Sequence, residues 1–255
     1  MLEADPHAHP VKWTPPLERT PSVQLSTLCS TCALRWTCLP CGMLPKDLAD
    51  MDQLIYTRRR VRAGEHVYHA GDGFKALYAF RSGFFKSYVD APDGQTQVVG
   101  FPMAGEVVGM DGIATDHHRV NVVALDDGEA CVIPYSHLQA VAQRAPALQH
   151  QVHKMMSREI LREQSVMTLL GSMRADARVA AFLLNLSEKF AARGYSATQF
   201  HLRMTREEIG SYLGLKLETV SRVLSRFQEN GLIKAQIRSI TIADVAGLKT
   251  VVPDF

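Results

Sequence analysis

"MTREEIGSYLGLKLETVSRVLSRFQENGLI", residues 204–233, holds two short helical patterns separated by a glycine. Thr205 followed three residues later by Glu208 is a capping box, so a helix starts there. Ile209, Tyr212 and Leu213 give that helix an apolar face, and Gly214 ends it. Val220, Val223, Leu224 and Phe227 form the apolar stripe of a second helix that stops at Asn230-Gly231. Two short helices joined by a glycine-containing turn make a helix-turn-helix. "LIKAQIRSITIAD", residues 232–244, then reads as a two-stranded wing.

The outward face of the second helix carries Glu218, Ser221 and Arg222, whose spacing places them on one side. Arginine bonds both major-groove acceptors of guanine, glutamate accepts from the cytosine amine, and serine is small enough for close approach. Between residues 201 and 238 there are seven Lys and Arg against four Glu, an excess that suits phosphate contacts. A solvated helix with one Glu–Arg pair would explain the charges but not the cap, the glycine turn and the wing. The segment reads as a binder of double-stranded DNA.

A DNA reader of this kind pairs two half-sites and so acts as a dimer. Upstream, after Pro146, residues run to Gly171 without a helix breaker. One stripe there follows 3-4 spacing: His153, Met156, Ile160, Glu163, Met167 and Leu170. That suits a parallel two-helix seam. Glu163 is its misfit, because in a homodimer it would face its own copy, and buried like charges repel. Either Glu163 holds the chain near a monomer–dimer balance, or it curves out to solvent or pairs with Arg158 or Arg162. A further helix, Met173 to about Arg193, presents Val179, Phe182, Leu183 and Leu186 and stops at Gly194.

From about residue 54 to 134 the pattern changes to short alternating strands: "HVYHAGD", "ALYAFRSGFFKSYV", "TQVVGF" and "VNVVAL". Gly71-Asp72-Gly73, Pro92-Asp93-Gly94 and Asp126-Asp127-Gly128 supply turns between them. A compact antiparallel barrel or sandwich is expected. His66 and His69 read as strand ends, and His117-His118 as a solvated loop pair rather than metal or haem ligands.

Four of the five cysteines, Cys29, Cys32, Cys38 and Cys41, fall within "CSTCALRWTCLPC", and Cys131 stands far downstream. C-x₂-C-x₅-C-x₂-C is a metal-ligand arrangement, but its two pairs lie closer than the usual zinc knuckles. Tightly spaced cysteines with a distant further ligand point to an iron–sulfur site; unliganded or redox thiols are the alternative. Residues 1–27 are proline-rich and polar, a flexible leader without the basic and apolar regions of a signal peptide. No uncharged apolar run approaches a membrane span. The 255-residue chain with a net charge of +2 and 46% hydrophobic residues reads as a cytoplasmic globular protein. In that compartment clustered cysteines bind metal or work in redox chemistry rather than forming disulfides.

Together these features resemble the CRP/FNR superfamily of transcription regulators, and specifically its oxygen-sensing FNR branch. The residues that carry the likeness are C-x₂-C-x₅-C at 29–38, "YAFRSGFFKSY", "GFPMAGEVVGMDGI", "CVIP" at 131–134, the intervening helix and "LGLKLETVSRVLSRFQENGLI". The resemblance implies an α+β fold: an N-terminal β-roll of the jelly-roll, cyclic-nucleotide-binding type, a long dimerisation helix and a C-terminal winged helix-turn-helix. The corresponding divisions are 1–27 leader, 28–45 cluster-binding segment, 46–145 β-roll, 146–171 dimerisation helix and 172–255 DNA-binding domain.

It further implies that Cys29, Cys32, Cys38 and Cys131 hold a [4Fe–4S] cluster, with no ligand role for Cys41. Glu218, Ser221 and Arg222 would read DNA, and Ile160 and Glu163 would set dimerisation, Glu163 standing where the family has Asp. The implied mechanism has an intact cluster without oxygen, a homodimer on TTGAT-type inverted repeats, and activation or repression through RNA polymerase. Molecular oxygen would convert the cluster to [2Fe–2S], loosen the dimer and release DNA. Ala33 replaces a serine common beside the cluster in such proteins. Met110, His118 and Arg119 stand where cyclic-nucleotide-binding relatives hold ribose and phosphate, which disfavours a nucleotide ligand. Leu217 precedes the recognition Glu where those relatives carry Arg, which favours the FNR-type half-site. A haem- or nucleotide-responsive regulator and an iron–sulfur redox protein are the alternatives. No constellation of nucleophile and base suggests an enzyme.

Overall fold

The computed structural model describes residues 28–52, 54, 56–91 and 94–253. The leader at 1–27, and Pro92 and Asp93 of the second expected turn, lie outside the described residues.

The β region is a sandwich. Its strands are β1 (Thr57–Val61), β2 (His66–Tyr68), β3 (Ala76–Ser82), β4 (Phe85–Asp90), β5 (Thr96–Gly100), β6 (Val107–Val108), β7 (Asn121–Ala124) and β8 (Gly128–Pro134). They form two antiparallel sheets, in the orders β1-β8-β3-β6 and β2-β7-β4-β5. The expected stretch "ALYAFRSGFFKSYV" divides into β3 and β4 around Gly83. At that glycine φ is 91°, and an added Cβ would lie 2.8 Å from the Gly128 backbone. Phe80 and Phe85 stack at 3.6 Å between the sheets, with Val61, Val67, Val122, Ala124 and Ala130 around them.

Side chains alternate across a strand. Ala130 therefore belongs to the core between the sheets, while Cys131 faces the other way beside Ala79 of β3, its register partner. That outer face also carries Leu77 and Ile133. It is covered by Leu39 of the cysteine segment, Met51 of α1 (Leu48–Asp52), Leu138 and Val141 of α2 (Tyr135–Ala142) and Leu148 of α3 (Pro146–Ser172). Burying this second apolar layer is what brings the cysteine segment onto the sheet.

The loop expectation for His118 is corrected. Its side chain is buried, with Nδ1 3.4 Å from Asp111 Oδ1 and its ring stacked at 3.7 Å on Tyr68. His117 is exposed. His66 lies in β2 and stacks on His69 at 4.0 Å.

Beyond its first turns α3 leaves the sheet: Leu148 and Gln151 are its buried residues, while Met156, Ile160, Leu161 and Met167 are exposed. The following helix, α4 (Ala175–Ala191), buries Val179, Phe182, Leu183 and Leu186. Next come β9 (Gln199–His201), α5 (Arg206–Leu213), α6 (Leu217–Glu229), β10 (Ile233–Gln236), β11 (Ser239–Ile242) and α7 (Val245–Thr250). The wing is a sheet of order β10-β11-β9, one strand more than the sequence pattern suggested.

α5 docks on the edge strand β5. Ser211 Oγ accepts the Val98 N–H at 2.8 Å and donates to the Thr96 carbonyl at 2.9 Å. Lys86 Nζ sits 2.8 Å from Glu208 Oε1. Val98 and Phe101 of the β-roll join the apolar core of the C-terminal unit.

Candidate functional site

The cysteine segment folds by short backbone turns. The Cys38 N–H donates to the Leu34 carbonyl and the Cys41 N–H to that of Cys38, both at 2.9 Å. Asp52 Oδ1 anchors the start of the segment by accepting the Ser30 N–H at 3.0 Å. Cys29, Cys32, Cys38 and Cys131 line one small cavity, together with Leu39, Tyr56, Ala79, Arg81 and Ile133. Cys41 is not on that lining. Its carbonyl instead accepts a hydrogen bond from Nε2 of Gln151, a buried residue of α3.

Burial pushes the Cys29 thiol up to about 12, with the neighbouring Cys131 and Cys32 adding to the rise. Burial does the same to Cys38, also to about 12. Cys131 is raised by burial too, but Arg81 and Arg58 oppose the rise. Arg81 Nη1 lies 3.5 Å from Cys32 Sγ, and its Nε lies 3.1 Å from Glu129 Oε2. Arg58 is the β1 register partner of Cys131, so both side chains leave the same face of the sheet. Its Nε and Nη2 are buried and have no hydrogen-bond partner among the described residues.

This chemistry fits a thiolate-bound iron–sulfur cluster: soft sulfur donors, an apolar wall, and a guanidinium, that of Arg58, with two shielded nitrogens lacking a partner among the described residues. Among the described residues no three Cys, His, Asp or Glu side chains close tightly enough to hold a single metal ion. Cluster ligands are spread around several irons rather than gathered on one. Thiols held protonated by burial lose their protons on binding metal, so occupancy would release that penalty.

At the other end of the chain the capping box at Thr205 is formed: Glu208 N–H donates to Thr205 Oγ1 at 3.1 Å, and Thr205 N–H to Glu208 Oε2 at 2.7 Å. Gly214 takes φ 61°, and a Cβ at Gly210 would meet the Leu215 carbonyl oxygen at 2.5 Å. Both glycines let the helices turn tightly. Val220, Val223, Leu224 and Phe227 are buried. Glu218 and Arg222 are consequently exposed and Ser221 is half-buried, all on the outward side of α6. Ser221 Oγ accepts from Arg206 Nη1 at 3.2 Å, so the first helix supports the outward face of the second. On α3, Ile160 and Glu163 are both exposed. Arg162 pairs with Glu159 rather than with Glu163.

Residues 58–145 match a family model described as "Cyclic nucleotide-binding domain", and residues 177–251 one described as "Crp-like helix-turn-helix domain". The transcriptional regulatory protein btr of Bordetella pertussis is 45% identical over 88% of this chain and 93% of its own. The fumarate nitrate reduction regulatory protein of Klebsiella oxytoca is 40% identical over 84% of this chain and 86% of its own. The chain belongs to the CRP/FNR family of transcription regulators. The solved structure of FixK2 from Bradyrhizobium japonicum, 28% identical, superposes with a TM-score of 0.74 over 79% of this chain and all of its own. A CRP/FNR regulator is not an enzyme, and its helix-turn-helix binds DNA. Among the described residues no helix is long and apolar enough to cross a membrane.

A cavity between the β-roll and α3 is lined by Tyr68, Met110, Asp111, Val120, Ile160 and Glu163, among others. Asp111 already occupies its donors: Oδ2 accepts the N–H of Arg119 at 2.7 Å and of Val120 at 3.2 Å. Burial would raise this carboxyl, but His118 and the Arg119 N–H hold it below the usual range. Arg58, Arg81, Gln151 and Asp111 carry no local sequence signal; Arg58 and Arg81 come beside Cys131 only through the pairing of β1 and β3 with β8.

Proposed function

We propose that this CRP/FNR regulator is oxygen-responsive, with a [4Fe–4S] cluster held by Cys29, Cys32, Cys38 and Cys131. The observation that carries the proposal is the grouping of those four thiols on one cavity wall that Cys41 does not line. The name of the Klebsiella relative, a fumarate nitrate reduction regulator, supports an anaerobic role. When bound, the cluster supplies an oxygen-labile crosslink between the cysteine segment and β8. Leu39 and Gln151 join that segment to the base of α3. Further along α3, Met156, Ile160 and Met167 form an exposed apolar stripe suited to a homodimer seam, and Glu163 lies within it.

In the dimer, two α6 helices would present Glu218, Ser221 and Arg222 to the half-sites of a TTGAT-type inverted repeat. Activation or repression would then proceed through RNA polymerase, in the cytoplasm. Asp111 weighs against a cyclic nucleotide as the signal, because an anionic phosphate would have to displace a carboxylate from its own donors.

The test is anaerobic purification followed by absorbance, iron analysis and gel shift before and after exposure to air. About four irons per chain and DNA binding that disappears in air are expected. DNA binding of equal strength before and after air would reject the oxygen-sensing role, and a Soret band would replace the cluster by haem.

A further inference from the structure

Arg58 carries an unanswered electrostatic problem. Arg58 is half-buried, and two of its guanidinium nitrogens, Nε and Nη2, are shielded from solvent without a hydrogen-bond partner among the described residues, which is costly. It cannot lose its charge, because arginine stays protonated in proteins. It leaves the same face of the outer sheet as Cys131, directly across the β1–β8 ladder. A second guanidinium, Arg81, reaches the same thiols from β3, with Nη1 3.5 Å from Cys32 Sγ. Neither nearby carboxylate is paired with Arg58 among the described residues. Glu129 is bridged to Arg81 at 3.1 Å, while Asp52 is engaged with the Ser30 N–H.

We infer that Arg58, together with Arg81, is a charge-compensating and positioning residue for the dianionic thiolate-bound cluster, and that Arg58 raises its reduction potential. The inference rests on the cluster reading above. Four thiolates around a doubly positive core leave the whole assembly with two negative charges, towards which Arg58 brings a positive charge not already paired with a carboxylate, as that of Arg81 is with Glu129. Uptake of one electron adds a third negative charge, so a cation fixed beside Cys131 favours the reduced form. Net charge and hydrogen bonds to the sulfurs are among the levers that set cluster potentials. Arg81 also bridges Glu129, so removing it would strand that carboxylate; Nε and Nη2 of Arg58 hold no such partner among the described residues.

The experiment is an anaerobic redox titration, with dithionite as reductant, of reconstituted full-length protein. It compares wild type, Arg58→Leu, Arg58→Lys and the exposed-charge control Arg62→Leu, with iron analysis of each. At the wild-type midpoint, Arg58→Leu should show about a tenfold lower ratio of reduced to oxidised cluster, equal to about 59 mV for one electron. Arg58→Lys and Arg62→Leu should stay near the wild type. If Arg58→Leu takes up no iron, retention by Arg58→Lys still supports the inference, and loss by both overturns it. An unshifted Arg58→Leu, or equal shifts in the Leu and Lys variants, also overturns it. A wild type that assembles no cluster refutes the cluster reading itself, which is a distinct outcome.

Discussion

Replacing Gln151 by leucine isolates the polar link between the cysteine segment and α3. Gln151 is 3% exposed, and its Nε2 donates to the carbonyl of Cys41. Leucine keeps most of the volume and removes the donor, leaving the carbonyl without that bond. An unsatisfied buried acceptor costs about 1–3 kcal/mol. Cys41 is half-buried, so water relieves part of the loss, and the expected cost is about 1–2 kcal/mol. That corresponds to about a 5–30-fold change in the equilibrium that docks the segment on α3. Amide hydrogen exchange reads this directly in protein without any cofactor. The Cys38 and Cys41 N–H groups bond to the nearby carbonyls of Leu34 and Cys38, in turns too short to persist in water once the segment lifts, so both then exchange. Their exchange should accelerate by about 5–30-fold, while amides of β3 and β4 stay protected. Unchanged exchange at Cys38 and Cys41 would refute the claim that Gln151 holds the segment to the helix.

Other consequences are equally direct. Cys41→Ala should retain the cluster and Cys131→Ala should lose it, as iron analysis would show; the reverse pattern would exchange their roles. Glu163→Ala should tighten the cofactor-free dimer about tenfold, from about 1.4 kcal/mol of relieved repulsion for carboxylates about 6 Å apart at an effective dielectric of about 40. Sedimentation equal to wild type would remove Glu163 from the seam. Arg222→Ala should cost about 1–3 kcal/mol of DNA affinity and relax discrimination at one base pair, whereas Lys234→Ala should weaken all sequences alike and flatten the salt dependence. Glu208 supplies a pH test. Burial would raise its carboxyl, but the Lys86 ammonium and the Thr205 N–H hold it below the usual range. Its contribution is therefore present above the ordinary glutamate value of about 4.3 and is lost as pH falls through the lower folded value. Exchange of α5 amides should rise in that acid window in wild type and show less pH dependence in Glu208→Gln.

Local patterns were readable because their causes are local. The capping box at Thr205, the glycine turn at Gly214 and the apolar stripe of α6 lie within a few residues of one another, and each is formed. Strand β1 was hidden for the same reason in reverse. "TRRRV" has no apolar alternation, yet Arg58, Arg59 and Arg60 lie in a ladder with β8. Arg59 is held there by bonds to the Val67 and His66 carbonyls at 2.8 Å. His118 looked like part of a solvated pair because its covers, Tyr68 of β2 and Asp111 seven residues upstream, are folded over it only in the tertiary structure.

The chain by itself determined a helix-turn-helix with a Glu-Ser-Arg face, a long helix with an acidic misfit, and a set of cysteines in metal-binding order. Only the tertiary structure decided which thiols share a wall, that Cys41 bonds to α3 through its backbone, and that two guanidiniums stand beside the thiols. The reason is geometric. Arg58 and Cys131 become neighbours through strand register, and the period of two sends Cys131 to the outer face while Ala130 goes to the core between the sheets. Neither fact is local in sequence, because both depend on how two distant strands pair and on which side the cysteine segment buries its Leu39.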